Sequence, residues 1–316
     1  MQTGGPQTWC GWSNMDETTS PATPPRPLTR AQAAVATHSF VFVVHGGNLE
    51  TKSALLACSL RQKLRVGQRI LAVEMRPDSR WAPLSDAARA LFDRLGVETV
   101  TSENRVAPDY AHGNKIDAMA SVDGPAIFLD SDMLMMRPFI THHSILGADC
   151  ALKVADIDTF VRGGGAWSRA YRMFGLPLPD RSMTATATGE RMRPYYNAGF
   201  ICVKNGRDFA ECWLDTAQGI ENNPEIVNKR PWLDQVALPV ALARLGWTVT
   251  EASTLMNFPA HLHPVAEPLP YIVHYHFPRI VAQTPRLLGD VRFYMGKFPE
   301  LRQVLAADPE WEAVTG

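Results

Sequence analysis

Apolar residues in the first half of the chain fall into short unbroken runs: Phe40-Val41-Phe42-Val43-Val44, Ile70-Leu71-Ala72-Val73 and Ala126-Ile127-Phe128-Leu129. Runs this short, with no polar alternation, predict strands buried on both faces, as in a parallel sheet. Between them the apolar positions switch to helical spacing. Leu55, Leu56, Ser59, Leu60 and Leu64 predict an amphipathic helix with Gly67 just past its end. Ser85, then Ala88, Leu91, Phe92 and Leu95, then Gly96, predict a second helix with a cap at each end. Residues 97–101 predict a third strand, and residues 115–121 a helix that leads into the strand at 126–129. This strand–helix alternation predicts a mostly parallel sheet with helices on both faces, whose ligands bind beyond the carboxyl ends of the strands.

The second half is less regular. Residues 195–203, 247–250 and 271–277 predict strands, and residues 208–220 and 232–245 predict helices, the latter ending at Gly246 and distorted around Pro239. A helical tail is expected after Asp290, and residues 181–194 read as a mobile loop, a candidate lid. Residues 1–36, rich in Pro, Thr, Ser and Gly, predict a disordered extension, with Met15 available as an initiator; residues 37–316 then form a single domain.

Composition narrows the function classes. The chain has 316 residues, 46% hydrophobic, with a formal net charge of -1, so there is no basic field to hold nucleic acid. No apolar run approaches the roughly 20 residues of a membrane helix, and no secretory signal pattern opens the chain. The five cysteines (Cys10, Cys58, Cys150, Cys202, Cys212) show no metal-binding spacing and read as reduced thiols, which makes the cytoplasm the expected location.

The sharpest chemical feature is Asp130-Ser131-Asp132 at the end of a predicted buried strand. Where the chain leaves the pleat, both carboxylates can turn to one hard divalent ion, whose remaining positions go to water or phosphate oxygens. Chance supplies about one Asp-x-Asp in a chain of this kind. A second one, Asp156-Ile157-Asp158, lies in a mixed segment and reads as ordinary surface. His274-Tyr275-His276 lies late in a strand-like run, where period-two alternation puts both imidazoles on one face; they are either metal ligands or a hydrogen-bonded pair. His261 and His263 share the spacing but lie among prolines. Lys115 is placed to reach phosphate or else is a solvated helix lysine. Asn197-Ala198-Gly199 marks either a close backbone approach to a ligand or a turn, and Asp234-Gln235 opens a helix. Gly163-Gly164-Gly165 is a flexible loop and not a P-loop, because no Gly-Lys-Ser/Thr follows.

In this order, the opening strand and helix, Asn114-Lys115, Leu129-Asp130-Ser131-Asp132, Asn197-Ala198-Gly199, Asp234-Gln235 and the His274 strand resemble the GT-A nucleotide-sugar glycosyltransferases, most of all the retaining family 8. The resemblance spans residues 40 to about 280. It implies a GT-A (Rossmann-like) α/β fold and Mn2+ or Mg2+ held by Asp130, Asp132 and His274. It also implies Lys115 on the donor diphosphate or sugar, Ser131, Asn197 and Gly199 against the donor, and Asp234 and Gln235 near the anomeric carbon. The expected reaction moves a sugar, with retention, from a nucleotide-sugar donor, UDP-linked by family precedent, to an acceptor that is a glycan, lipid, protein or small molecule. The family's Gly and Lys-Pro-Trp after the histidine are replaced here by Tyr275-His276-Phe277-Pro278-Arg279. That makes Arg279 the candidate for the diphosphate and His276 the alternate metal ligand. The competing readings are a nucleotidyltransferase on the same fold and a non-catalytic carbohydrate-binding or nucleotide-binding relative. Gly46-Gly47-Asn48-Leu49-Glu50 lacks the basic residue that triphosphate binding needs.

Overall fold

A computed structural model describes residues 38–316 apart from 77, 79, 139–144, 146 and 161–164. The expected disordered extension at 1–36, with Cys10 and Met15, and Gly163-Gly164 of the glycine run lie outside the described residues.

In chain order the first half runs β1 (Ser39–Val44), α1 (Asn48–Lys63), β2 (Ile70–Met75), α2 (Asp86–Leu95), β3 (Glu98–Ser102), α3 (Asn114–Ala120), β4 (Ala126–Leu129), β5 (Met133–Met135) and β6 (Cys150–Val154). The second half runs α4 (Ala166–Met173), β7 (Met183–Thr184), β8 (Arg191–Met192), β9 (Tyr196–Val203), α5 (Gly206–Asn222), α6 (Leu233–Leu245), β10 (Val249–Glu251), β11 (Phe258–Pro259) and β12 (Ile272–His274). It ends in α7 (Pro278–Gln283), α8 (Pro285–Lys297), α9 (Pro299–Ala306) and α10 (Glu312–Thr315).

Seven strands form the main sheet in the order β10-β6-β9-β4-β1-β2-β3. All neighbours are parallel except β9, which runs antiparallel to both β4 and β6. The fold is therefore α/β with a mostly parallel sheet. Alternation along β1 divides the core: Phe40, Phe42 and Val44 pack with α1, α2 and the C-terminal helices, while Val41 and Val43 pack with α3, α5 and α6. A smaller sheet, β11-β12-β5, sits beyond the end of β4. Among the described residues no helix is long and apolar enough to cross a membrane. Cys58, Cys150 and Cys202 are buried free thiols and Cys212 is half-buried.

Helix α2 begins and ends as expected. Ser85 Oγ accepts the Ala88 amide at 3.2 Å, and Gly96 turns the chain with φ 61°. Helix α1 differs. It stops at Lys63, short of Gly67, and it is buried nearly all round from Glu50 to Leu60, because the sheet covers one side and the C-terminal helices the other. Helix α6 runs through Pro239 unbroken to Gly246, its buried apolar surroundings outweighing one lost backbone bond. The strand expected at 271–277 ends at His274, since His276 takes a left-handed φ of 58°. Within residues 181–194, expected as a mobile loop, β7 and β8 pair as a hairpin, with the Ala185 amide on the Glu190 carbonyl at 2.9 Å. Its two-residue strands are too short to show alternation in the sequence. The strand expected at 247–250 is shifted to Val249–Glu251, and the helical tail begins earlier, at Pro278.

Candidate functional site

The antiparallel course of β9 brings its first residues to the carboxyl end of β4. Leu129 pairs with Phe200, and the Asp130 amide then donates to the Gly199 carbonyl at 2.8 Å. Ser131 Oγ donates to the Val43 carbonyl of β1 at 2.5 Å, and the Asp132 carbonyl accepts the Tyr275 amide at 3.1 Å. Register does the rest, because β5 pairs with β12 so that Met133 faces His274. The Asp-Ser-Asp backbone is thus tied to β9, β1 and the chain just past β12 in turn, and its two carboxylates receive different surroundings.

Asp132 collects the cation end. His274 Nε2 lies 2.9 Å from Oδ1 and His276 Nδ1 lies 3.7 Å from Oδ2. Lys52 of α1 stands 4.0 Å from Oδ2 and donates to the His276 carbonyl at 3.0 Å. The His274 and His276 rings lie 3.6 Å apart by centroid, and His261 meets His276 edge-on at 4.2 Å. Burial would push the Asp132 carboxyl up, but His274, His276 and Lys52 outweigh it and hold the group well below the usual carboxylate range. Burial, reinforced by His274 and opposed by Asp132, pushes His276 down to about 3. At neutral pH His276 is therefore an uncharged imidazole, the form that ligates metal. One ligand atom from each of Asp132, His274 and His276 falls within 4.8 Å of the others, which suits a single cation. Two nitrogens and a carboxylate suit a transition ion such as Mn2+ better than Mg2+, which prefers oxygen.

Asp130 is not in that cluster. Of the expected trio of Asp130, Asp132 and His274, the last two converge here with His276, while Asp130 turns to Lys115, with Nζ 3.0 Å from its Oδ1. The same ammonium lies 3.1 Å from Asp234 Oδ2. Burial works against the charge on Lys115, but Asp130 and Asp234 prevail and hold its pKa above the ordinary value. Lys115 is buried, not a solvated helix lysine. Asp234, 1% exposed at the start of α6, is fixed by Tyr110, whose hydroxyl accepts the Asp234 amide at 2.9 Å and donates to Oδ1 at 2.7 Å.

Asn197 and Gly199 join the two ends. The Asn197 side-chain oxygen accepts the Gly199 amide and Asn257 Nδ2, both at 2.8 Å. A Cβ at Gly199 would stand 2.8 Å from Asp130 Oδ2 and 2.8 Å from Met133 Cε, so a larger residue here would push the Asp130 and Met133 side chains aside.

These groups surround one hollow of about 420 Å³. It takes in Lys115, Asp130, Ser131 and Asp132 from one stretch, Asn197 and Gly199 from β9, Asp234 and Gln235 from α6, and His274 with His276. Arg279 is not brought there; it is exposed, its guanidinium 4.3 Å above the Phe277 ring, because the turn at His276 starts a new helix. The two imidazoles do face one carboxylate, but through that turn and not through the strand alternation expected for them. Asp156 is spent on Lys153 and Thr186, and Asp158 on the Phe160 amide, both as local structure. Lys52, Tyr110, Asn257 and His261 were not legible as site residues. Only His261 carried a signal, the His-x-His spacing that His274 and His276 share.

In fold, the chain is similar to galactosyltransferase LgtC in complex with donor and acceptor sugar analogs (15% identity, TM-score 0.47, covering 75% of this chain and 86% of that one). It is also similar to mouse xyloside xylosyltransferase 1 in apo form (10% identity, TM-score 0.47, 75% and 97%). A third likeness is to apo glycosyltransferase GlyE of Streptococcus pneumoniae TIGR4 (14% identity, TM-score 0.46, 75% and 54%), of which this chain spans about half the length. No curated protein is matched by the sequence. Residues 40–246, more than half of the chain and the stretch that holds β1, the Asp-Ser-Asp turn, Asn197 and Asp234, match the Rhodobacterales glycosyltransferase domain, and the chain belongs to that family.

Proposed function

We propose that this glycosyltransferase uses a nucleoside diphosphate sugar, with UDP as the expected nucleotide, and depends on Mn2+ or a similar divalent ion. The observation that carries the reading is the hollow itself, with a carboxylate and two imidazoles at one end and Lys115 between two carboxylates at the other. Asp132, His274 and His276 would hold the ion. When bound, it supplies Lewis-acid stabilisation of the negative charge on the departing diphosphate, worth several kcal/mol of barrier.

The chain's own residues do the rest. Lys115 adds a fixed positive charge beside the donor, and it needs no reorganisation because Asp130 and Asp234 already hold it. Asn197 orients donor hydroxyls. Gln235, on the first turn of α6, lines the hollow and offers an amide oxygen to the positive charge that grows at the anomeric carbon. Asp234 acts through Lys115 and Tyr110 and is too buried to be the base. Transfer proceeds with retention, and the acceptor is a hydroxyl compound that enters from the open side.

Thermal shifts with a panel of nucleotide sugars, each with and without Mn2+, test the reading. One donor is expected to stabilise the protein only when Mn2+ is present, by about 2.7 kcal/mol at a hundred times its Kd. Equal shifts without metal would overturn metal dependence, and no shift with any nucleotide sugar would overturn the donor class.

A further inference from the structure

One ring nitrogen of His274 faces Asp132; the other is read by Asn257. The reading can be followed atom by atom. The Gly199 backbone N–H donates to the Asn197 side chain at 2.8 Å, so the Asn197 atom there is its oxygen. That oxygen takes a second hydrogen bond at 2.8 Å from Asn257, so the Asn257 atom facing it is the NH2. The Asn257 oxygen is then left facing His274 Nδ1 at 3.1 Å. A carbonyl oxygen only accepts, so Nδ1 carries a proton, and Nε2 is the nitrogen turned to Asp132, 2.9 Å away.

The fold holds this relay in place. Asn257 is 1% exposed, and it joins a short 3-10 turn (Thr254–Met256) to β11. Strand β11 pairs with β12, with Phe258 opposite Val273 and Pro259 opposite His274. That register, together with the hydrogen bond to Asn197, keeps the amide beside the imidazole.

We propose that Asn257 is a positioning residue of the metal centre. It holds the Nδ1–H of His274 on its carbonyl oxygen, so that Nε2 is the nitrogen directed to a divalent cation beside Asp132, and it ties that ligand to Asn197, which lines the same hollow. This rests on the metal reading above. A ligand imidazole whose second nitrogen is fixed by an acceptor is both oriented and more basic, and losing such a partner costs about 10–100-fold in metal affinity.

The test uses the whole protein with Mn2+ as the probe, free Mn2+ being counted by electron paramagnetic resonance in the presence of UDP, and folding checked by thermal melt. Asn257→Leu keeps similar bulk and removes the acceptor, and is expected to weaken Mn2+ binding by about 10–100-fold. Asn257→Asp keeps an acceptor for Nδ1–H and is expected to restore most of that affinity. Imidazole 15N spectra of the metal-free protein, with His274 identified by substitution, should show Nδ1–H in the wild type and in Asn257→Asp.

Wild-type Mn2+ affinity in Asn257→Leu overturns the proposal. So does an equal loss in both variants, which would mark Asn257 as packing only. If Asn257→Leu fails to fold, Asn257→Asp and the wild-type spectrum still decide, and a His274 ring with no proton on Nδ1 overturns it. A wild type that binds no Mn2+ overturns the metal reading, and the tautomer then judges the Asn257 contact by itself.

Discussion

Asp130 and Asp132 stand one residue apart yet serve different partners: Lys115 Nζ lies 3.0 Å from Asp130, and His274 Nε2 lies 2.9 Å from Asp132. The cause is backbone anchoring. The Asp130 amide is bound by Gly199, the Ser131 hydroxyl by Val43 and the Asp132 carbonyl by Tyr275. Those three anchors fix the backbone, and the carboxylates turn to the partners on either side, Lys115 and His274. The pair therefore divides the hollow into an end with two imidazoles, where we propose the metal, and an end organised around a buried lysine.

That division predicts unequal mutants. Asp132→Ala removes the only carboxylate in the three-residue cluster and is expected to lower Mn2+ affinity by more than the roughly 100-fold that outer contacts command. Asp130→Asn leaves the cluster whole and is expected to change Mn2+ affinity by less than about tenfold, while donor binding falls through Lys115. Calorimetric titration of Mn2+, and of UDP at saturating Mn2+, measures both. Equal losses of Mn2+ binding would put both aspartates on the metal.

Lys115 is the group on which the other end depends. Lys115→Met strands Asp234, which is 1% exposed, beside Asp130 with no cation between them. Removing one partner of a buried ion pair costs about 3–5 kcal/mol, because the remaining charge stays buried. Urea unfolding should show a loss of that size. Adding Asp234→Asn should return part of it, since the stranded charge is then gone, without restoring sugar transfer. A single mutant as stable as the wild type would mean that the charges are not buried in solution.

The sheet, its helices and most of the hollow's lining were legible because buried parallel strands write themselves as unbroken apolar runs, as Phe40 to Val44 do. Asp130, Asp132, Asn197 and Asp234 could be found because each lies at the end of an element that periodicity locates. What sequence spacing cannot carry is the direction of a side chain where the chain leaves regular structure. Asp130 was expected beside Asp132 and Arg279 by the hollow, whereas the structure turns Asp130 to Lys115 and, after the left-handed turn at His276, leaves Arg279 over Phe277. Asn257 and Tyr110 stayed hidden for a different reason. Their roles are contacts across 17 and 124 residues of sequence, set by strand register and helix packing and not by any local pattern.

A pH-dependent prediction arises away from the hollow, at the sheet edge. Asp149 accepts from Lys204 Nζ at 2.7 Å, from the Thr248 hydroxyl at 2.9 Å and from the Thr248 amide at 3.1 Å, and so ties the starts of β6 and β10 to the end of β9. Chiefly the Lys204 hydrogen bond, then those from Thr248, hold its carboxyl down to about 2, against 3.8 when free. The folded state therefore binds this proton less readily than the unfolded chain. The stabilisation is fully present above the free value and is lost as pH falls through about 2, since protonation then costs the folded state its charged acceptor. Asn at this position cannot take the charge but retains an acceptor for Thr248. Thermal melts of wild type and Asp149→Asn should thus differ by a constant interval from pH 7 to about pH 5, and the interval should narrow below about pH 4. Asp149 makes none of the contacts of the Asp132 cluster, so Mn2+ binding at neutral pH should match the wild type. An interval that closes already near pH 6, or one that widens in acid, would show that the ion pair with Lys204 does not set the charge of this carboxylate.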